Sequence, residues 1–318
     1  YLQMIAWGIN ALNHGSSLAV FKNGEFQSLA TDKDDELDTS IITEALHQGA
    51  PDRIFWYEQP WVKKARQVYA GQYRTAMDMS VLPKRYLNKI RVHYAPVTDT
   101  PHHASHAAAG YYTSPFNHCA VVVLDAIGEF ECATIWEGLH GEIRKVWSRS
   151  YPHSLGLFYS AFTKLIGLTP IRDEHLLQKM AEQGDKQRYF KEVNDYVSNT
   201  VNLKYNLHRG VLNWPYPIET LQDQCDIAAA VQDAFEGQVG MVMMQARKLV
   251  NTDCLVYMGG CAMNSDANKR FVEPAFKYRW TLPNPGDPSS AIGAVAYHTK
   301  QRITKHDWTP VKHIAINI

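Results

Sequence analysis

Two β-hairpin patterns lie about 115 residues apart in this chain, and they constrain its fold more than any other feature. The first occupies residues 4–30, where "MIAWGIN" is followed by a polar loop, "LAVFK", the turn dipeptide "NG" and "EFQSLA". The second occupies residues 119–149, where "CAVVVLD" and a glycine turn precede "ECATIWEG", "LHG" and "EIRKVWSR". Apolar and alternating runs around short glycine turns are typical of antiparallel strands. The repetition therefore predicts two similar sheet units.

Helical patterns follow each hairpin unit. A capping residue opens the helical pattern at 38–48. An alanine-rich stretch lies at 100–112, and amphipathic spacing extends over 221–250. Strands and helices in two related halves predict an α/β protein with a duplicated ribonuclease-H-like, or actin-type (ASKHA), fold. We place the N-terminal subdomain at residues 1–116 and the C-terminal subdomain at residues 117–318. A nucleotide and a metal ion are then expected in the cleft between the subdomains.

The composition argues against several classes of protein. Lys plus Arg and Asp plus Glu both number 32, so no global field directs the chain toward nucleic acid or a membrane. No apolar run approaches the ~20 residues that cross a bilayer. The first residues also lack the basic flank and cleavage site of a secretory signal. We therefore predict a cytoplasmic protein without a membrane partner.

The cysteines predict neither disulfides nor a zinc–thiolate site, because their number is odd and no two have C-x-x-C spacing. We expect buried, reduced thiols at all five positions: Cys119, Cys132, Cys225, Cys254 and Cys261.

The stretch 61–94 is locally basic. It contains eight Lys or Arg residues and one acid, Asp78, interleaved with one tryptophan and four tyrosines. Such a mixture fits contacts with nucleic-acid phosphates and stacked bases, so DNA is a possible partner. A solvated helix face, or the dock of another domain, explains the same pattern.

A histidine pair stands out in "TPHHASHAAAGYY". On a helix, His102 and His106 lie one turn apart on one face, which allows both imidazoles to reach one metal ion, whereas His103 points elsewhere. A helix with surface histidines is the alternative. Asp125 favours the metal, because a lone carboxylate at the end of a buried strand is costly without a cation. This donor set suits Fe(II), Mn(II), Zn(II) or Mg(II), with imidazole favouring the transition metals.

Three further positions have two interpretations each. Gly259 and Gly260 in "MGGCAMN" either bring backbone N–H groups to a phosphate or form a simple tight turn. Asp287, before a small-residue helix, is either a helix cap or a ligand. His14, in the loop between the first two strands, is either a general base for a hydroxyl or a surface histidine.

Several segments together resemble the O-carbamoyltransferases of the NodU/CmcH type, a family that includes tobramycin carbamoyltransferase. The matching segments occur in the family's order over nearly the whole chain: "GINALNHGSSLAVFKNGEF", "HHASHAAAGYYTSPF", "VVVLDAIGE", "HSLGLFYSAFTKLIGL", "GGCAMNSDANKR" and "NPGDPSSAIGAVAYH". The resemblance implies the TsaD-like ribonuclease-H-like part of these enzymes. It also implies transfer of a carbamoyl group from carbamoyl adenylate to a substrate hydroxyl.

The resemblance also implies roles for individual residues. The metal, with Fe(II) favoured, is expected on His102, His106, Asp125 and Asp287. His14 is expected to deprotonate the acceptor hydroxyl. ATP, ADP or carbamoyl adenylate is expected to bind at five residues: Gly128, Glu129, Gly259, Gly260 and Asn264.

The chain departs from the family pattern in three places. Ala126 replaces the first glycine of "DGxGE", Lys33 is only a candidate for the family's lysine after the third strand, and Leu176 occupies a lysine position. The resemblance also implies a YrdC-like domain, which we do not expect within these residues, so a separate protein or a missing domain is expected to make the adenylate. The isolated chain is then expected to bind ATP or ADP without forming carbamoyl adenylate.

The acceptor is expected to be a small-molecule or nucleobase hydroxyl. A hydroxymethylated pyrimidine in DNA is one specific possibility. The alternatives are a threonylcarbamoyl-transfer subunit acting on tRNA and an ATP-binding module that transfers nothing.

Overall fold

The computed structural model describes residues 4–92, 95–198 and 202–304, and these residues form two five-stranded sheets. The strands of the first sheet are β1 (Ile5–Asn10), β2 (Ser16–Lys22), β3 (Glu25–Asp32), β4 (Arg53–Trp56) and β5 (Val97–Asp99). Those of the second are β6 (His118–Leu124), β7 (Glu131–Leu139), β8 (Glu142–Ser150), β9 (Cys254–Met258) and β10 (Tyr278–Trp280).

The two sheets share one topology. The order is β3-β2-β1-β4-β5 in the first and β8-β7-β6-β9-β10 in the second. In each sheet the three hairpin strands pair antiparallel and the last two strands add in parallel. The prediction of a duplicated α/β fold is confirmed. All strands of the first sheet precede residue 117 and all strands of the second follow it.

Twelve α-helices are present in the described parts of the chain. They are α1 (Thr39–Gln48), α2 (Pro60–Tyr69), α3 (Tyr73–Met77), α4 (Pro83–Lys89), α5 (His102–Thr113), α6 (Leu155–Leu165), α7 (Glu174–Ala181), α8 (Phe190–Asn194), α9 (Leu221–Leu249), α10 (Ser265–Ala267), α11 (Glu273–Ala275) and α12 (Ser290–Thr299). Asp38 caps α1, and a capping box of Thr220 and Asp223 opens α9. None of these helices has the length and apolar character needed to span a bilayer.

The two halves exchange a helix. Helix α5 packs against strands of the second sheet, whereas α12 packs against β1, β2 and β4 of the first sheet. The two helices also pack closely against each other, because Gly293 of α12 has no side chain where a Cβ would lie 1.6 Å from the Ser105 carbonyl oxygen. Gly8 of β1 similarly admits α12, since a Cβ there would lie 1.8 Å from the Ala291 oxygen. The start of both helices is thereby fixed between the sheets.

Every residue of α5 is buried. A helix that is covered on all sides needs small residues, and the alanines of α5 supply them. Its histidines are therefore core residues in the described structure, which removes the interpretation of a surface helix.

The five cysteines are free thiols, as predicted, and four of them are buried. Cys254 is half-buried, so the expectation of full burial is wrong at this position. It opens β9, where the end of a strand meets solvent.

Candidate metal centre

Four predicted ligands converge where the two halves meet. His102 and His106 lie on the first turns of α5, Asp125 directly follows β6, and Asp287 precedes α12. This position between the two halves follows from the helix exchange, because α5 brings residues of the first half to the end of a strand of the second. One ligand atom from each of the four residues lies within 4.8 Å of the others.

The individual distances are short. The two histidine Nε2 atoms are 3.1 Å apart. Oδ2 of Asp125 lies 3.0 Å from His102 Nε2 and 3.6 Å from His106 Nε2. Oδ1 of Asp287 lies 3.5 Å and 3.3 Å from the same two atoms.

The histidines and carboxylates hold each other charged. Burial alone would lower the pKa of His106, but the carboxylates of Asp125 and Asp287 raise it to about 9. The same balance raises the pKa of His102. Burial would raise the pKa of Asp125, but the two imidazoles hold it well below its usual range. Without a metal, the two carboxylates thus favour the protonated imidazole of His106.

The donor set fits a divalent transition metal. Two imidazole nitrogens and two carboxylate oxygens are suitable ligands for Fe(II), Mn(II) or Zn(II). Ligand atoms bound at ~2.1 Å lie about 3.0–3.4 Å apart, and most separations here are close to that range. The Nε2 atoms of His102 and His106 are the metal-facing ones, because they lie 3.0–3.6 Å from the carboxylate oxygens of Asp125 and Asp287. The ring Nδ1 atoms are buried without a hydrogen-bond partner in the described structure.

Two neighbouring groups orient the carboxylates. Asn13 donates a hydrogen bond of 2.7 Å from Nδ2 to Oδ2 of Asp287. The backbone N–H of Gly260 donates to Oδ1 of Asp125 at 3.4 Å. Asn13 was missed in the sequence, where its only signal is its place beside His14.

Glu129 supports the start of α5. Its buried carboxylate accepts hydrogen bonds from the backbone N–H groups of Gln59, at 2.6 Å, and His102, at 3.0 Å. A carboxylate at a helix N-terminus satisfies free N–H groups and interacts favourably with the helix dipole. This contact fixes the first turn of α5, which carries the histidine pair.

Gly128 lies over the histidines. A Cβ at this position would be 2.9 Å from Cδ2 of His103 and 3.1 Å from Cδ2 of His102. Glycine therefore lets the turn after β6 pass close to α5. His103 points away from the cluster, as predicted, and its Nδ1 lies 3.0 Å from Oγ1 of Thr134.

The double-glycine turn adjoins Asp125. Gly259 has φ +92°, and a Cβ there would lie 2.1 Å from the Leu124 carbonyl oxygen, so only glycine fits. A single 3₁₀ turn, Gly260–Met263, follows. The Asn264 side chain caps α10 and exchanges two hydrogen bonds with Gln232 of α9, at 2.9 and 3.1 Å.

His14 is exposed in the loop between β1 and β2. The Asn13–Asp287 hydrogen bond ties this loop to the metal cluster. The N–H of Gly15 also bonds the Asp35 carboxylate at 3.1 Å. That bond holds the loop against the segment that contains the exposed Lys33.

The basic stretch forms α2, α3 and α4, with Tyr94 outside the described residues. Four of its eight cations have partners within the chain. Lys63 pairs with Glu58, and Lys89 pairs with Glu36. Lys64 and Arg66 are buried and donate to backbone carbonyls. The stretch is therefore not a uniformly exposed basic surface.

Comparison with known protein families identifies the family of this chain. The sequence matches the family described as "Carbamoyltransferase N-terminus" over residues 31–296. The chain belongs to this family. The predicted relationship to NodU/CmcH-type carbamoyltransferases is confirmed.

Curated relatives of this carbamoyltransferase-family chain are longer than the chain. An uncharacterized protein of Synechocystis sp. is 27% identical over 90% of this chain, and the chain spans 55% of its length. Nodulation protein NolO of Bradyrhizobium diazoefficiens is 28% identical over 61% of this chain and 37% of its own length.

Among solved structures, full-length HypF in its phosphate- and nucleotide-bound form aligns with 93% of this chain and 55% of HypF. Its TM-score is 0.50 at 11% identity. This structural similarity supports the duplicated α/β fold described above.

Proposed function

We propose that this chain transfers a carbamoyl group from carbamoyl adenylate to a hydroxyl group of an acceptor. The observation that carries the proposal is the buried His102–His106–Asp125–Asp287 cluster in a chain of the carbamoyltransferase family. An ATP-binding module without transfer activity would not need an exposed histidine next to Asn13, the residue that bonds Asp287 of this cluster.

The cluster is the proposed metal site, with Fe(II) favoured. A cation held there would neutralise charge on the phosphate of the donor and on the leaving AMP. The chain's own contribution is to orient four ligands, with Asn13 fixing Asp287 and the Gly260 N–H fixing Asp125.

The nucleotide is proposed to bind beside the double-glycine turn. This turn adjoins Asp125, because the Gly260 N–H donates to Asp125 Oδ1, and the Gln232–Asn264 pair borders the same turn. Gly128 is proposed to line the opposite side of the cleft. Glu129 acts at this site through α5, because its carboxylate is already bonded to two backbone N–H groups.

His14 is proposed as the general base. A neutral imidazole takes a proton from the acceptor hydroxyl while the hydroxyl oxygen attacks the carbamoyl carbon, and AMP leaves. Its loop is held at the cluster through Asn13. The exposed position of His14 leaves room for an acceptor to reach it.

The test supplies carbamoyl adenylate directly, so that it does not depend on an adenylating activity. The metal-loaded chain is incubated with a panel of alcohols, and mass spectrometry detects acceptors that gain one carbamoyl group. His14→Ala should lower the transfer rate by roughly 100-fold while metal binding stays unchanged. His106→Gln should lose both metal binding and transfer activity.

If His14→Ala forms the carbamoylated product at the rate of the unaltered chain, His14 is not the general base. No transfer to any alcohol by the metal-loaded chain, with nucleotide bound, would favour the binding module instead.

A further inference from the structure

A buried arginine lies outside the metal cluster. Arg66 of α2 is 6% exposed, yet it forms no ion pair with any residue that the structure describes. Its Nε donates to the Glu129 carbonyl oxygen at 3.2 Å and its Nη1 donates to Gln72 Oε1 at 2.8 Å. Buried charges in proteins are normally paired, so this guanidinium lacks an anion.

The carboxylates of Glu58 and Glu129 do not supply that anion. Glu58 is close enough to raise the pKa of Arg66 against the lowering effect of burial. Both Glu58 oxygens, however, accept hydrogen bonds from the ammonium of Lys63, at 3.1 and 2.9 Å. The carboxylate of Glu129 is bonded to backbone N–H groups at the start of α5. Nη2 of Arg66 has no hydrogen-bond partner among the described residues.

Two more basic groups approach from the second half of the chain. His208 Nε2 lies 3.3 Å from Gln72 Nε2, and His208 Nδ1 lies 3.2 Å from the Tyr151 hydroxyl. Burial and the positive charges of Arg66 and Arg209 lower the pKa of His208. Arg209 is exposed and forms no ion pair within the described parts of the chain. We call the group Arg66, His208 and Arg209 the basic seam.

Aromatic rings border the basic seam. The Arg66 guanidinium lies 5.9 Å from the ring centre of Tyr151, and the Tyr69 ring lies 6.4 Å from the same ring and 6.2 Å from Phe130. Tyr69 is 71% exposed, which leaves one ring face open. An open aromatic face beside unpaired cations suits a planar ring that carries a negative charge.

The basic seam lies at the far end of the turn that begins with Asp125. Arg66 binds the Glu129 carbonyl four residues after this ligand, and the Tyr151 N–H binds the Phe130 carbonyl at 2.7 Å. We infer that the basic seam binds the anionic group of the acceptor, a phosphate or carboxylate on a planar ring that stacks on Tyr69. The acceptor identity rests on the proposed carbamoyl transfer, whereas anion binding does not.

The test measures binding by calorimetry with the full chain in EDTA at constant ionic strength. The probes are phenyl phosphate, benzoate, inorganic phosphate and uncharged benzyl alcohol. We expect one of the two aromatic anions to bind and benzyl alcohol not to bind; the preferred anion tells phosphate from carboxylate. Loss of a charge-assisted hydrogen bond should weaken this binding by ~10-fold or more in Arg209→Gln and in Arg66→Gln.

The control is Arg85→Gln, since Arg85 is an exposed cation of α4 without an ion pair in the described structure. It should bind the probes as the unaltered chain does. Tyr69→Ala should weaken binding of the aromatic anion but leave binding of inorganic phosphate unchanged. If Arg66→Gln does not fold, anion binding by Arg209→Gln, a change at an exposed position, tests the inference.

The inference fails if neither aromatic anion binds, or if Arg209→Gln binds as tightly as Arg85→Gln. The proposed function fails separately. If the basic seam binds anions but the metal-loaded chain carbamoylates no alcohol of the panel, 4-(hydroxymethyl)benzoate included, the anion site stands and the proposed function fails.

Discussion

Asn13 bonds Asp287 across 274 positions of the sequence, with 2.7 Å between Nδ2 and Oδ2. The bond joins the loop of the proposed base to the metal cluster. It also fixes which Asp287 oxygen faces the histidines, since Oδ1 is the atom near both Nε2 atoms.

Asn13→Ala should therefore weaken metal binding by roughly tenfold, the lower end of the usual effect of groups that orient metal ligands. Titration of the metal-free chain with Fe(II) or Mn(II) measures this effect. Asn88→Ala, at an exposed position of α4, is the matched control and should leave the dissociation constant unchanged. Equal constants for the two variants would mean that the hydrogen bond does not orient Asp287 for the metal.

Metal affinity should rise with pH. In the metal-free chain, Asp125 and Asp287 outweigh burial and raise the pKa of His106 to about 9, so its imidazole is protonated at neutral pH. Metal binding needs the neutral ring and must release that proton. We expect a gain of up to ~10-fold per pH unit between pH 6.5 and 8.5, with proton release visible by calorimetry in buffers of different ionisation enthalpy. A flat profile would contradict the raised pKa.

The same group links stability to pH in the metal-free chain. A folded pKa above the unfolded value of ~6.5 stabilises the fold below that pH, and this contribution disappears as the pH rises through about 9. The expected loss of unfolding free energy between pH 6.5 and 9 is at most ~3 kcal/mol. His106→Gln should reduce this slope in urea unfolding curves, and the remainder is expected from His102, whose pKa is also raised. An unchanged slope would mean that His106 does not cause it.

Glu129→Gln should loosen the first turn of α5. Both backbone N–H groups bond Oε1, and a glutamine retains that acceptor. Its Nε2, however, would put an N–H donor where Oε2 now lies 3.2 Å from the His102 nitrogen, and the negative charge at the helix N-terminus would be lost. We expect a loss of ~2 kcal/mol in unfolding free energy and faster hydrogen exchange of the His102 amide.

Glu131→Gln is the control for this prediction. Glu131 forms an ion pair with Lys145 at the edge of the sheet, and such pairs contribute about 1 kcal/mol or less. If both variants lose the same small amount and the His102 amide exchanges normally, Glu129 does not hold the helix.

The fold and the grouping of His102, His106 and Asp125 could be predicted because they depend on local patterns, whereas Asp287 joined them only through the resemblance to the carbamoyltransferases. Hairpin turns, apolar strands and the i, i+4 histidine pair are visible within a few residues. The His102–His106 pair and Asp125 were identified in this way, and the structure brings them together with Asp287.

The contacts that support the site were not predictable from local patterns. Asn13 and Arg66 are ordinary polar residues in the sequence, and their roles depend on partners distant along the chain. The helix exchange decides these partners, since it brings α5 and α12 to the opposite sheets. Glu129 was predicted at the nucleotide, and the carboxylate is instead engaged by backbone N–H groups; whether a nucleotide also contacts it stays a prediction.

The packing of α12 on α5 gives the sharpest test of the helix exchange. A Cβ added at Gly293 would lie 1.6 Å from the Ser105 carbonyl oxygen, and backbone atoms on both helices would have to move. Gly293→Ala should cost about 3 kcal/mol or more and weaken metal binding, because α5 carries two ligands and Asp287 precedes α12. Gly237→Ala lies in α9 with nothing within 4 Å of its added Cβ, so it should stabilise the chain by ~0.5–1 kcal/mol and leave metal binding unchanged. Urea unfolding and metal titration of both variants test this, and a Gly293→Ala chain as stable as Gly237→Ala would disprove the close contact between the two helices.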